Sequence, residues 1–216
     1  MSQLEQLINQ IQQEAERESF PIDEAIYQSA GLIPTKPILY AGNLSSKLCF
    51  FARDLGKDEI NAQQPLYGSA GSLVRKGLYR VLFDNEPQNN EDLEKILEYV
   101  VLTNTVPYKP PGNKAYTEGV KKRFRPFLEE FLLSHWQGDQ IITLGNEAFN
   151  WFIPYGKKGE LKEFFTQSDR YEQSISITLK SKQIKLMPLP HPSPLNQQYY
   201  AQFPTLLNQR LLGIFK

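Results

Sequence analysis

Five short apolar runs, each bounded by glycine, asparagine, aspartate or proline, constrain this chain more than any other feature. They are "ILYAGN" at 38–43, "KLCFFARD" at 47–54, "YVVLTNTV" at 99–106, "QIITLG" at 140–145 and "IKLMPLP" at 184–190. Runs of this length and composition are the mark of buried strands. Apolar stripes at helical spacing separate them. One is Leu4, Leu7, Ile8 and Ile11 within 2–18, and a shorter helix is expected at 22–30 before Pro34 and Pro37 break the pattern. Leu73, Leu78, Val81 and Leu82 form another, with Ser69 placed to cap it. Further helices are expected at 91–98, over 117–136 with a kink or break at Pro126, at 146–153 and at 197–213. Residues 55–68 read as a long loop, and 156–185 alternate polar and apolar as a hairpin would. Strands alternating with helices predict a doubly wound, mostly parallel sheet covered on both faces.

Composition narrows the function classes. Lys plus Arg and Asp plus Glu number 24 each in 216 residues, which excludes a uniformly basic nucleic-acid binder but not a local basic face. Cys49 is the single cysteine, so no intrachain disulfide and no cysteine-held cluster can form. The start "MSQLEQLINQ" lacks a basic segment followed by an apolar run, and no stretch approaches the ~20 apolar residues of a membrane helix. The expectation is a soluble, cytoplasmic, single-domain monomer that engages no membrane.

In a sheet of this kind ligands bind outside the carboxyl ends of the strands. Three of those ends carry groups with chemistry: Asp54 after "CFFAR", Asn104 after "VVLT" and His191 after "LMPLP". Singly, each is read as easily as a cap, a turn amide or a hydrogen-bonded loop histidine. Together, at successive strand ends, they point to one site.

"HPSPLN" at 191–196 closely resembles the second signature motif of the uracil-DNA glycosylase superfamily, and "FARDLGKDE" at 51–59 with "PLYGSAGSL" at 65–73 resembles its first. "TNTVPYKPPGN" at 103–113 is similar to the middle segment of the thermophile-type, iron–sulfur branch, and "ITLGNEAFNWF" at 142–152 to its fourth strand and following helix. The resemblance covers about 35–213. It implies a three-layer α/β/α domain with a central, mostly parallel four-stranded sheet, spanning 35–216, on which residues 1–34 pack as a helical extension. No metal motif, Gly-x-Ser-x-Gly elbow or phosphate-loop pattern competes with it.

The activity implied is hydrolysis of the N-glycosidic bond of uracil, or a related deaminated base, flipped out of DNA during base excision repair. Asp54 matches the carboxylate that positions water and faces the developing sugar cation. Asn104 matches the amide that pairs with uracil O4 and N3–H, and His191 the imidazole that donates to O2. Pro190, Pro192 and Pro194 would stiffen the loop that aims His191. Leu195 would be the wedge that fills the vacated stack, and Ser193 would bond a phosphate. Lys109 beside Pro110 and Pro111 is the phosphate candidate within a basic stretch that includes Lys114, Lys121, Lys122, Arg123 and Arg125. That stretch also reads as a solvated helix face.

Several positions depart from the pattern. Leu66 stands where the family has a base-stacking aromatic, leaving Tyr67 next to it as the substitute. Ala52 and Leu55 replace the usual Gly and Pro. Gly56 replaces the tyrosine with which the best-known uracil-specific branch rejects the thymine methyl. One cysteine replaces the four that the iron–sulfur branch needs, so no cofactor is expected. Two other readings follow: a non-catalytic or altered-specificity DNA-binding member of the superfamily, and a hydrolase with Ser193 as nucleophile. Residues only two apart on a proline-fixed loop disfavour the second of these, because His191 would rarely reach that hydroxyl.

Overall fold

The computed structural model describes residues 1–112, 114–193 and 196–216. Ten α-helices and six strands follow the chain among these residues. The first part runs α1 (Gln3–Arg17), α2 (Glu24–Ser29), β1 (Tyr40–Gly42), β2 (Leu48–Ala52), α3 (Lys57–Ala62), α4 (Ser69–Phe83), α5 (Asn90–Lys95) and β3 (Val100–Asn104). The second runs α6 (Glu118–Glu130), β4 (Gln140–Leu144), α7 (Asn146–Asn150), α8 (Glu160–Thr166), β5 (Ile175–Leu179), β6 (Lys182–Leu189), α9 (Gln197–Tyr200) and α10 (Phe203–Phe215).

The sheet order is β1-β3-β2-β4-β6-β5. Its centre is the expected parallel set, β3, β2, β4 and β6. Two antiparallel edges enlarge it to six strands. On one edge a tight turn at Lys180, with φ 53°, returns β5 directly to β6, and such a turn can only produce antiparallel pairing.

Side-chain parity sorts the core. Cys49, Phe51, Val101 and Ile141 face one layer built from α1, α6, α7 and α8. Leu48, Phe50, Leu102, Ile142 and Met187 face the other, built from α4 and α10. Both β2 and β3 are buried throughout, as a doubly covered parallel sheet requires. Burying each such side chain contributes about 1.5–3 kcal/mol, more than any helix cap here can supply. The N-terminal segment belongs to this core: Leu7, Ile11 and Ala15 of α1 are buried in it, and Tyr27 of α2 is fully enclosed.

Three local expectations are corrected. The segment 55–68 contains α3, whose first turn is fixed by the Gly56 N–H donating to Glu59 Oε2 at 2.9 Å. The hairpin is confined to β5 and β6, because Leu161 and Phe164 of α8 pack inward at helical spacing. Helix α6 runs through Pro126, which lies on its exposed side.

One close approach shapes the site. A Cβ on Gly71 would lie 2.0 Å from the Leu66 carbonyl carbon and oxygen, and Leu66 itself holds φ 54°. Gly71→Ala is expected to push this turn off α4 and destabilise the fold by about 1–3 kcal/mol, as overpacking does. A thermal midpoint equal to that of the parent protein would refute this.

Candidate active site

Because β2, β3, β4 and β6 are parallel, their carboxyl ends open on one side of the sheet. From β2 the sheet grows towards β3 on one side and β4 on the other, so the end of β2 is the topological switch point where open α/β sheets hold ligands. A cleft of about 250 Å³ lies there, lined by Arg53, Asp54, Gly56, Leu66, Asn104 and His191 among others. The three candidates from separate strand ends therefore share one cavity.

Each is held by the fold. Asn104 pairs in register with Ala52, two residues before Asp54. Thr105 then locks the two strand ends, its N–H and hydroxyl both donating to the Arg53 carbonyl at 3.0 and 2.5 Å. His191 rests against the β4–α7 turn, where Gly145 has φ 87° and a Cβ would stand 3.0 Å from the His191 Cβ. Only glycine gives both that backbone and that clearance. The His191 carbonyl accepts from the Ser193 N–H at 2.9 Å and from the Asn196 amide at 3.2 Å, which fixes the backbone that carries the imidazole.

Three acceptor atoms in the cleft, on Asn104 and Asp54, meet no hydrogen-bond donor among the described residues. Asn104 is 2 % exposed and its Oδ1 meets no donor among the described residues. The Asp54 carboxylate is 2 % exposed, and neither oxygen accepts a hydrogen bond from them. Arg53 Nε stands 3.1 Å from Asp54 Oδ2, a contact with the distance but not the direction of a hydrogen bond. Burial pushes the Asp54 carboxyl up to about 6, partly offset by Arg53 and then by Lys121. Burial, with Arg53 second, holds the His191 imidazole below its usual value. A buried acceptor without a donor costs about 1–3 kcal/mol, so a site that keeps two such groups is built for something that enters.

The other candidates divide between the cleft and its surroundings. Leu66 and Gly56 line the cleft, but Tyr67 does not. Its ring lies beside a separate depression with Asp58, Asn61 and Ser72, under the Arg75 guanidinium at 5.2 Å. Pro110 and Pro192 are buried, Pro110 on the cleft wall. Pro194 and Leu195, the proposed wedge, lie outside the described residues.

The basic stretch is corrected. Lys109 is 4 % exposed and its Nζ is taken by Asp23 Oδ2 at 2.7 Å and by the Pro110 and Gly112 carbonyls at 3.0 Å each. It is an internal latch, not a phosphate contact. Lys121 is buried between Glu118 and Glu147, Arg123 binds Glu14, and Arg125 binds the Trp151 carbonyl at 2.6 Å. Lys114 and Lys122 are exposed. Glu118 lies on the same helix, but Glu147, Glu14 and the Trp151 carbonyl come from other elements and are distant in the chain.

Two residues were missed from sequence. Glu59 gathers three backbone N–H groups, from Gly56 at 2.9 Å, Tyr67 at 2.9 Å and Gly68 at 2.7 Å, so one carboxylate ties both halves of the first motif. An acid three residues after a capping glycine was the available signal. Arg75, 2 % exposed, donates to the Leu66 carbonyl at 2.8 Å, Glu94 at 3.1 Å and Gln64 at 2.9 Å, holding the left-handed turn. Nothing in its sequence neighbourhood marks it.

The fold and cleft define an open α/β protein with a ligand site at the sheet's switch point. A family model described as the uracil DNA glycosylase superfamily matches residues 39–212. The chain belongs to that superfamily, whose members act on DNA, and glycosylase-type hydrolysis is the class of chemistry that membership brings. No curated protein matches the sequence. The iron–sulfur cluster of the thermophile-type branch does not fit this chain. Cys49 is alone and fully buried in β2, and the described residues hold no group of three His, Cys, Asp or Glu that could bind a metal ion. No helix among them is long and apolar enough to cross a membrane.

Proposed function

We propose that this protein is a monofunctional DNA glycosylase that hydrolyses the N-glycosidic bond of uracil, or a related deaminated base, flipped out of DNA in base excision repair. The observation that carries the reading is the convergence of Asp54, Asn104 and His191 on one cleft, with the Asp54 oxygens and Asn104 Oδ1 meeting no donor among the described residues. No cofactor is required. Asn104 offers both a donor and an acceptor to the base edge. Bond breaking leaves positive charge on the sugar and negative charge on the departing base. Asp54 as a carboxylate faces the first and orients the attacking water. A neutral His191 imidazole donates a hydrogen bond to the second, which needs a positioned donor and no proton transfer. Water then adds at C1′, its proton passes to Asp54 or solvent, and an abasic site remains.

Leu66 in the cleft wall gives apolar contact but no aromatic face, and Gly56 adds no side chain to the wall at the position where the resemblance puts a methyl-excluding tyrosine. Both widen the range of bases the cleft admits. The test is a panel of oligonucleotides with uracil, hypoxanthine, xanthine and mismatched thymine, single- and double-stranded. Alkali-labile sites are expected at one or more of the bases, with no strand cleavage before alkali. His191→Ala should slow release by ~10²–10³-fold, the usual cost of one donor to a developing anion. Binding of these oligonucleotides with no base released in any context would instead favour a non-catalytic member of the superfamily.

A further inference from the structure

The Arg53 guanidinium sits where the mechanism gives it no task. It projects from the turn after β2 into the cleft that Asp54 and His191 also line, and its Nε is 3.1 Å from Asp54 Oδ2. Its carbonyl accepts two hydrogen bonds from Thr105, so its backbone is registered against Asn104 as well. We propose that Arg53 is a positioning residue whose charge, beside the carboxylate and in the same cleft as the imidazole, holds Asp54 as the anion and His191 as the neutral donor. This rests on the glycosylase reading above and adds to it a residue that acts through two others.

The charges facing this pair from other elements leave the task to Arg53. From α6 comes Lys121, already matched by Glu118 and by Glu147 of α7. From α3 come Lys57, Asp58 and Glu59 at the cleft rim, with Glu59 committed to three backbone N–H groups. Glu147 opposes ionisation of Asp54. Arg53 is the largest influence favouring the Asp54 anion, and it also disfavours a proton on His191. An arginine cannot itself lose its proton, so the setting holds at every working pH.

Arg53→Gln and Arg53→Lys proteins test this by two readouts. The chain has two histidines, His135 and His191, so the imidazole titration of His191 can be followed by NMR without reference to activity. Its midpoint should rise by about one pH unit in Arg53→Gln and return towards the parent value in Arg53→Lys. On a uracil oligonucleotide, the acid limb of kcat/KM should move up by about one pH unit in Arg53→Gln. The rate on that limb would then be about tenfold lower while the alkaline plateau is kept. An unmoved His191 titration, or a rate lost equally at all pH values, overturns the assignment. A shifted imidazole in a protein that releases no base supports the assignment and defeats the glycosylase reading instead, so the two failures are distinct.

Discussion

Asp54→Asn should slow base release by ~10²–10³-fold and at the same time make the protein more stable at pH 7.5. The second effect follows from burial. Burial pushes the folded-state carboxyl up to about 6 from its reference of 3.8. A group raised in this way contributes stability that is fully present below about 3.8 and lost as pH rises through about 6. Above that, the fold carries a buried anion at a cost on the order of 2–3 kcal/mol. Asparagine keeps the shape and removes the charge. Its thermal midpoint should exceed that of the parent at pH 7.5 by several degrees, and the gap should close as the buffer is taken from pH 7 to pH 4. The activity of the parent should itself fall below about pH 6, where the carboxylate gains its proton. An Asp54→Asn protein no more stable than its parent at pH 7.5 would mean that the carboxylate is not held under strain for catalysis.

Lys109→Ala should destabilise the fold by about 3 kcal/mol, because it removes one partner of a buried pair. Asp23 would lose its cation, and the Pro110 and Gly112 carbonyls their donor. Since Pro110 and Gly112 also line the cleft, activity should fall with stability. Denaturant unfolding measures the first effect directly. A phosphate-binding Lys109 would behave in the opposite way: unchanged unfolding, weaker DNA binding, and a salt dependence reduced by about one ion. Results of that second kind would restore the role that the structure withdraws.

What was legible in the sequence follows the reach of local physics. The parallel core shows in five apolar runs, because a strand covered on both faces must be apolar throughout. Asp54, Asn104 and His191 were identifiable because strand ends and proline-bounded loops are local patterns. Helix α3 was hidden because its cap, Gly56, has no side chain, which left Glu59 three residues on as the one local signal. The fate of Lys109 was hidden because its partner Asp23 lies 86 residues away. Tyr67 pointed away from the cleft for a similar reason: the cation over its ring, Arg75, is held by Gln64 and Glu94, and only the folded chain brings them together.

The family match begins at residue 39, yet the Lys109 ammonium is neutralised by a carboxylate at residue 23. A shortened polypeptide trimmed to the shared region would keep the cation and discard its counter-ion. The loop downstream of Asn104 would then have to swing its ammonium out to water, opening the wall of the cavity. The leading segment thus splints the wall of the cleft, and its removal should loosen that wall.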